Sequence, residues 1–130
     1  MKRILCLFLT LFLFVGCKRS ASPQYDQAAD VAMKYVNLME QEKYDDLLKD
    51  IVSCDSASDA YRSNMRTFLK QFVRSKKKTH VGLKKVESLK TDMPQAANAV
   101  EVYLKLTYQN DSTELICFPM IWDKGRWRLR

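Results

Sequence analysis

Residues 100–108 decide the fold, and they read Val-Glu-Val-Tyr-Leu-Lys-Leu-Thr-Tyr. The even positions are apolar or aromatic, while the odd positions between them are mostly polar. This period of two is typical of a strand with one face buried. Because helical patterns precede this strand and further strands surround it, we expect an α+β domain in which helices cover the apolar face of the sheet.

The first predicted helix lies well upstream of this strand. Ser22 can cap it and Pro23 is tolerated at the first helical position. An apolar stripe at spacings of three and four then continues until the helix ends near Gln41 or Glu42.

Two more helices are expected before the sheet. The second covers residues 44–52. The third follows a cap at Ser56 or Ser58 and ends in the cationic segment 74–78, where positive charge suits the negative end of the helix dipole. Its apolar stripe includes Phe68, which we expect to be buried between helix and sheet.

The first strand spans residues 81–89, where the apolar alternation changes phase near Lys84 and Lys85. Such a phase slip predicts a β-bulge. Residues 91–95, which contain Pro94, then form a turn.

The last two strands form a hairpin. Residues 115–122 are apolar on both faces, which suits a central strand, and residues 123–125 (Asp-Lys-Gly) form the turn. Trp127 and Leu129 then alternate with arginines in the final strand.

Residues 1–16 have the features of a secretory signal: a basic start, an apolar run and small residues before a cleavage point. The apolar run is shorter than the roughly 20 residues that span a bilayer. Val15-Gly16-Cys17 resembles the lipobox of bacterial lipoproteins, with Phe14 at a position where Leu is usual. We expect cleavage before Cys17 and lipid attachment to its thiol; the alternative is an ordinary signal peptide with a chance cysteine.

This leaves residues 17–22 as the lipidated cysteine and its tether, and residues 23–130 as a single domain. The five residues after Cys17 reach at most about 18 Å, so the domain is expected to stay near the headgroups. Lys18 stands where many surface-exported lipoproteins of Bacteroidetes carry an acidic residue. By that resemblance we expect a lipid anchor in the bacterial outer membrane, with the domain facing the periplasm.

The net charge is +7, but two cations lie in the signal, so 20 lysines and arginines face 15 acidic residues in the mature chain. This excess is too small for a dedicated nucleic-acid binder. The cations instead suggest contact with an anionic surface; the alternative is a solvated helix end and lysines that protect a strand edge. The residues concerned are Lys18, Arg19, Arg74, Lys76, Lys77, Lys78, Lys84 and Lys85.

Two cysteines remain in the mature domain besides Cys17. Cys54 and Cys117 either pair, as an oxidising compartment permits, or remain two separate buried thiols. The chain contains no Cys-x-x-C spacing and one histidine, so we expect no redox motif, metal site or cofactor.

Candidate catalytic groups are few. We expect the acidic cluster in the second helix to be a solvated face on which Asp45 and Asp46 meet Lys49, rather than a general base with a tyrosine donor. We expect His80, after the lysine run, to be a surface histidine. The members of the acidic cluster are Tyr44, Asp45, Asp46 and Asp50.

The element order over residues 22–130, ending in Asp-Lys-Gly-Arg-Trp-Arg-Leu at 123–129, resembles the cone-shaped fold of nuclear transport factor two, the polyketide cyclases and ketosteroid isomerase. More narrowly, the chain resembles small lipoproteins of Bacteroidetes with an uncharacterised domain of that class. The resemblance implies three helices packed on a curved four-stranded antiparallel sheet, a cystatin-like cone. Ketosteroid isomerase needs acids inside the cone, whereas we expect Glu101 and Glu114 to face away from it.

These patterns favour a non-catalytic, lipid-anchored protein of the cell envelope. It would hold a small apolar ligand in the cone or contact another envelope protein. The competing hypotheses are a small isomerase or cyclase that uses the cone, and a purely structural lipoprotein whose cone is filled by side chains.

Overall fold

The computed structural model describes residues 25–92 and 98–130, which form an α+β domain. The predicted signal, Cys17, Lys18, Arg19 and residues 93–95 of the predicted turn lie outside the described residues. Within the described ranges, no helix combines the length and apolarity needed to cross a membrane. The elements are α1 (Tyr25–Glu40), α2 (Tyr44–Leu48), a 3-10 turn (Val52–Cys54), α3 (Asp59–Thr79), β1 (Leu83–Asp92), β2 (Ala99–Tyr108), β3 (Thr113–Asp123) and β4 (Arg126–Leu129).

The four strands form an antiparallel meander in chain order, as predicted. The register of β1 against β2 shifts between Leu83 and Lys85, which confirms the predicted bulge, and shifts again between Ser88 and Lys90. β1 continues to Asp92, so the turn begins later than predicted.

The core lies between the helices and one face of the sheet. The even-numbered residues of β2, from Val100 to Tyr108, are all buried and pack with Ala28, Ala32 and Tyr35 of α1. The strand that decides the fold therefore carries the apolar face that its sequence predicts.

β3 lies inside the sheet, as its apolar sequence predicts, but only one of its faces is buried. Leu115 remains 65% exposed and Cys117 is also exposed, whereas Phe118 faces the helices and contacts the ring of Tyr35. Helices cover only one face of the sheet among the described elements, so the apolar side chains on the other face stay at the surface.

The helix ends follow local chemistry. Ser58 caps α3, because its hydroxyl accepts a hydrogen bond from the Tyr61 N–H at 3.2 Å. At the end of α1, the Lys43 N–H reaches the carbonyl of Leu38 at 2.8 Å and Glu42 adopts φ 58°. This is a Schellman-type ending with a glutamate at the left-handed position that usually holds glycine.

α2 is shorter than predicted, because the chain becomes extended at Ile51. Ile51 forms a parallel bridge with Leu129, and the Leu129 N–H donates to the carbonyl of Asp50 at 2.9 Å. Pairing with the short last strand therefore replaces the end of the predicted second helix.

The β3–β4 hairpin closes as the sequence predicts. Lys124 and Gly125 both have positive φ, 51° and 76°, between the paired residues Asp123 and Arg126. Two left-handed residues in a two-residue loop give the turn whose twist matches that of the strands.

The prediction that Phe68 is buried is wrong. α3 packs mainly against α2 and α1 rather than on the sheet, and its buried residues are Leu69 and Val73. Phe68 is 60% exposed and Tyr61 is 41% exposed, because their flank of the helix faces away from these contacts.

Candidate functional site

An open groove of about 400 Å³ lies between the start of α2 and the second half of α3. We call it the basic groove, because four of its six lining side chains are cations from α3. Lys70, Arg74 and Lys78 follow one another at helical spacing on one flank of the helix. The lining residues are Glu42, Tyr44, Lys70, Arg74, Lys77 and Lys78.

The positive charge of the basic groove is weakly compensated. Within residues 25–92 and 98–130, no ion pair involves Lys70, Arg74 or Lys78. Lys77 lies 3.7 Å from the carboxylate of Glu42. Tyr44 is 5% exposed; burial raises the pKa of its hydroxyl, as does the charge of Glu42.

The predicted set of cations does not form one surface. Lys76 forms an ion pair with Glu114 on the cone side, Lys84 pairs with Asp111 at 2.9 Å, and Lys85 pairs with Glu87 at 2.7 Å. These three lysines lie outside the basic groove. Arg74, Lys77 and Lys78, which belong to the predicted set, line the groove.

Lys70 is the member of the groove that the sequence reasoning missed. It lies four residues before Arg74, so the helical spacing contained the signal. The uninterrupted lysine run at 76–78 is the more conspicuous pattern, whereas Lys70 stands out only on the helix face.

The prediction that Glu114 faces away from the cone is wrong. Glu114 pairs in register with Leu106 and therefore shares the helix-facing side of the sheet. Its Oε2 accepts a hydrogen bond from the Tyr108 hydroxyl at 2.8 Å, and its Oε1 contacts Lys76. Burial alone would raise the pKa of Glu114, but the hydrogen bonds from Lys76 and Tyr108 outweigh it and lower that pKa.

His80 is half-buried rather than a surface side chain. Its ring stacks on Tyr108 with 3.9 Å between the centroids, and Nδ1 lies 2.8 Å from the hydroxyl of Ser112. One end of the cone thus brings together His80, Tyr108 and Glu114. Burial, followed by the hydrogen bond to Glu114, raises the pKa of the Tyr108 hydroxyl and keeps it neutral.

The cavity that described residues line inside the cone is small. The cavity between α1, α3 and the sheet measures about 30 Å³, and its lining includes Val36, Phe72, Leu106 and Ile116. Such a volume accommodates about one or two water molecules.

The carboxylates of the acidic cluster at residues 44–50 are all engaged in ion pairs. Asp46 pairs with Lys49 at 3.2 Å, as predicted, whereas Asp45 accepts a hydrogen bond from Arg66 Nε at 2.8 Å. Asp50 is 9% exposed and pairs with Arg126 at 3.0 Å. Each carboxylate has its own cation, which is typical of structural ion pairs.

Arg128 of β4 is a buried charged residue, which the alternation of the last strand did not predict. It is 1% exposed, and its guanidinium bonds both oxygens of Asp55 at 2.5 and 2.6 Å and Asp123 at 2.7 Å. Its Nη2 also donates a hydrogen bond to the carbonyl of Lys49 at 3.1 Å. Arg128 therefore ties β4 to the loop after α2.

Cys54 and Cys117 do not pair in the structure. Cys54 is buried beside α2, whereas Cys117 is exposed on the sheet face opposite the helices. Burial raises the pKa of the Cys117 thiol, and the negative charge of Glu101 adds to that effect. Both side chains are free thiols, and the sheet separates them.

No described group of three or more histidine, cysteine or acidic side chains has the arrangement of a metal site within residues 25–92 and 98–130.

Comparisons with known proteins bear on the fold. A crystal structure of a Campylobacter jejuni protein, provisionally described as an NTF2-like transpeptidase, superposes with a TM-score of 0.63. The match covers 77% of this chain and 94% of the other chain at 14% sequence identity. This domain has the NTF2-like fold. No protein-family profile and no curated protein matches the chain.

The NTF2-like fold agrees with the element order observed here, in which helices precede a four-stranded antiparallel sheet. Because sequence identity is low, the likeness extends to the fold alone. NTF2-like domains include ligand-binding proteins and enzymes, so function has to be argued from the sites.

Proposed function

We propose that this chain is a lipid-anchored protein of the bacterial cell envelope whose NTF2-like domain binds a partner without catalysing a reaction. The lipobox-like sequence before Cys17 supports the anchor. Lys18 stands where many surface-exported lipoproteins carry an acidic residue, which supports a position on the outer membrane that faces the periplasm. The domain would then act as a binding or accessory module beside the membrane.

The proposal that the domain catalyses no reaction rests on the contacts and the lowered pKa of Glu114. A general base needs a free lone pair and a pKa near the working pH. Lys76 and Tyr108 engage both carboxylate oxygens, and together they lower the pKa of Glu114. A carboxylate in this state is a weak base.

The small cavity of the cone favours a partner on the outer surface over a ligand inside it. Pockets for small ligands usually measure about 300 Å³ or more. The cone cavity is about 30 Å³, so an apolar ligand would have to displace core side chains to enter. An envelope protein or the membrane surface is the partner that this geometry supports best.

Substitution of the lipobox cysteine tests the anchor. Cys17→Ser should abolish metabolic labelling with a fatty-acid analogue and leave the longer precursor, because the thiol that receives lipid is gone. The matched control is Cys6→Ser, which removes a thiol from the apolar run and should leave processing intact. A Cys17→Ser protein of mature size that still labels with lipid would overturn the anchor.

A small isomerase or cyclase is the second candidate, because Glu114, Tyr108 and His80 meet at one end of the cone. The test uses cyclohex-3-enone, whose isomerisation to the conjugated enone is followed by ultraviolet absorbance. Turnover by the wild type that is lost in Glu114→Gln would establish the enzyme and overturn the non-catalytic proposal. Equal background rates for both proteins are the result that we expect.

A further inference from the structure

We propose that the basic groove binds the phosphate group of an anionic membrane lipid. The inference rests on the proposed envelope function, because the short tether after Cys17 would hold the domain beside lipid headgroups. The groove would then act as a second, non-covalent contact with the membrane.

Helix-end electrostatics do not account for this charge. Cations in the last turn of α3, such as Lys77 and Lys78, offset the negative end of the helix dipole. Lys70 and Arg74 precede that turn, where the dipole effect has faded. Their mutual repulsion at a spacing of four residues costs stability, and neither side chain forms an ion pair with a described carboxylate. A bound anion would supply the missing charge.

The chemistry of the lining selects a phosphate headgroup rather than an acyl chain. Arg74 offers a planar guanidinium that can bind two phosphate oxygens at once, while Lys70, Lys77 and Lys78 supply point charges. Tyr44 is the one aromatic side chain in the lining, which contains no aliphatic residue. A groove of about 400 Å³ is large enough for a headgroup and leaves the lipid tails outside.

Glu42 regulates the strength of this site. It is the only carboxylate that the described residues bring to the lining, and it lies 3.7 Å from Lys77. It also occupies the left-handed position at the end of α1, which fixes the backbone from which its side chain extends. Because its charge competes with an incoming anion, removing that charge should tighten phosphate binding.

Titration calorimetry on the full-length lipoprotein in neutral detergent tests the proposal. The probe is dihexanoyl phosphatidic acid, a short-chain lipid with a phosphate headgroup. Wild-type protein should bind it at low salt, and binding should weaken as salt rises. Arg74→Gln should weaken binding about tenfold, the usual effect of losing one charged hydrogen-bond donor. Glu42→Gln should strengthen binding.

The matched control is Lys84→Gln. It also removes one positive charge, but Lys84 lies outside the groove and is paired with Asp111. It should leave the affinity unchanged. Equal binding by wild type and Arg74→Gln, or equal weakening by Lys84→Gln, would overturn the groove as the site.

Two further probes define the source of the phosphate. Dihexanoyl phosphatidylcholine, whose headgroup has no net charge, should bind more weakly than phosphatidic acid. If inorganic phosphate binds as tightly as the lipid, the lipid assignment is overturned. Because the groove is titrated in detergent and the anchor is tested by Cys17→Ser processing, failure of one result is distinguishable from failure of the other.

Discussion

Arg128 shows how a single residue can hold two distant parts of the chain together. It lies in the last strand, yet Asp55 lies after α2 and is 73 positions away along the chain. The contacts with Asp55 and Asp123 raise the pKa of the guanidinium, although burial opposes this. The charge of Arg128 is therefore fixed at every ordinary pH.

Arg128→Met should destabilise the domain by about 1–3 kcal/mol, because Asp123 loses its cation and Asp55 keeps only Lys124 at 3.6 Å. Urea unfolding followed by circular dichroism measures this change. Arg130→Met is the control, since Arg130 is an exposed arginine on the same terminal segment. Equal unfolding midpoints for the two variants would contradict the role assigned to Arg128.

Asp55 contributes to the pH dependence of stability. The hydrogen bond from Arg128 holds the pKa of Asp55 at about 2, below the ordinary 3.8. A lowered carboxylate pKa stabilises the fold above the unfolded value, and this contribution is lost as pH falls from about 4 towards 2. Asp55→Asn should lower the free energy of unfolding at pH 7 and reduce its loss between about pH 4 and pH 2. The control is Asp30→Asn, at an exposed residue of α1, which should change neither quantity. An unchanged loss over that pH range in Asp55→Asn would contradict this.

At the scale of elements, α3 and β2 differ in how they use apolar side chains. Leu104 of β2 is fully buried against the helices, whereas Phe68 of α3 is 60% exposed. Leu104→Ala should cost about 2–5 kcal/mol through lost burial and a cavity. Phe68→Ala should change stability by no more than about 0.5 kcal/mol, as surface substitutions usually do. Chemical denaturation compares the two variants, and a large loss for Phe68→Ala would place that flank of α3 in the core.

At the scale of the whole molecule, the sheet separates the two remaining thiols. In the native, unreduced lipoprotein Cys117 should react with a maleimide, slowly because its pKa is raised, while buried Cys54 should react only after unfolding. Mass spectrometry counts the labels, and Cys117→Ser should remove the native label. Unfolded, unreduced protein that takes no label would show that the cysteines pair after all.

Much of the local structure follows from neighbouring residues alone. The alternation in residues 100–108, the cap at Ser58 and the hairpin at 123–125 all depend on neighbouring residues, because backbone periodicity and turn geometry are set over a few positions. The antiparallel order of the strands also follows, since short connections join strands that lie side by side. The resemblance to the cone fold rested on this element order.

Long-range contacts set which charges face each other and which side of each element is covered. Arg128 is buried because Asp55 and Asp123 meet it there, and Glu114 faces the cone because it is in register with Leu106. Phe68 is exposed because α3 packs mainly on the other helices and this flank faces away from them. Contacts between residues far apart in the chain leave no periodic signal. Helical spacing reveals the cations of the basic groove, but the residues around the start of α2 join them only when the chain has folded.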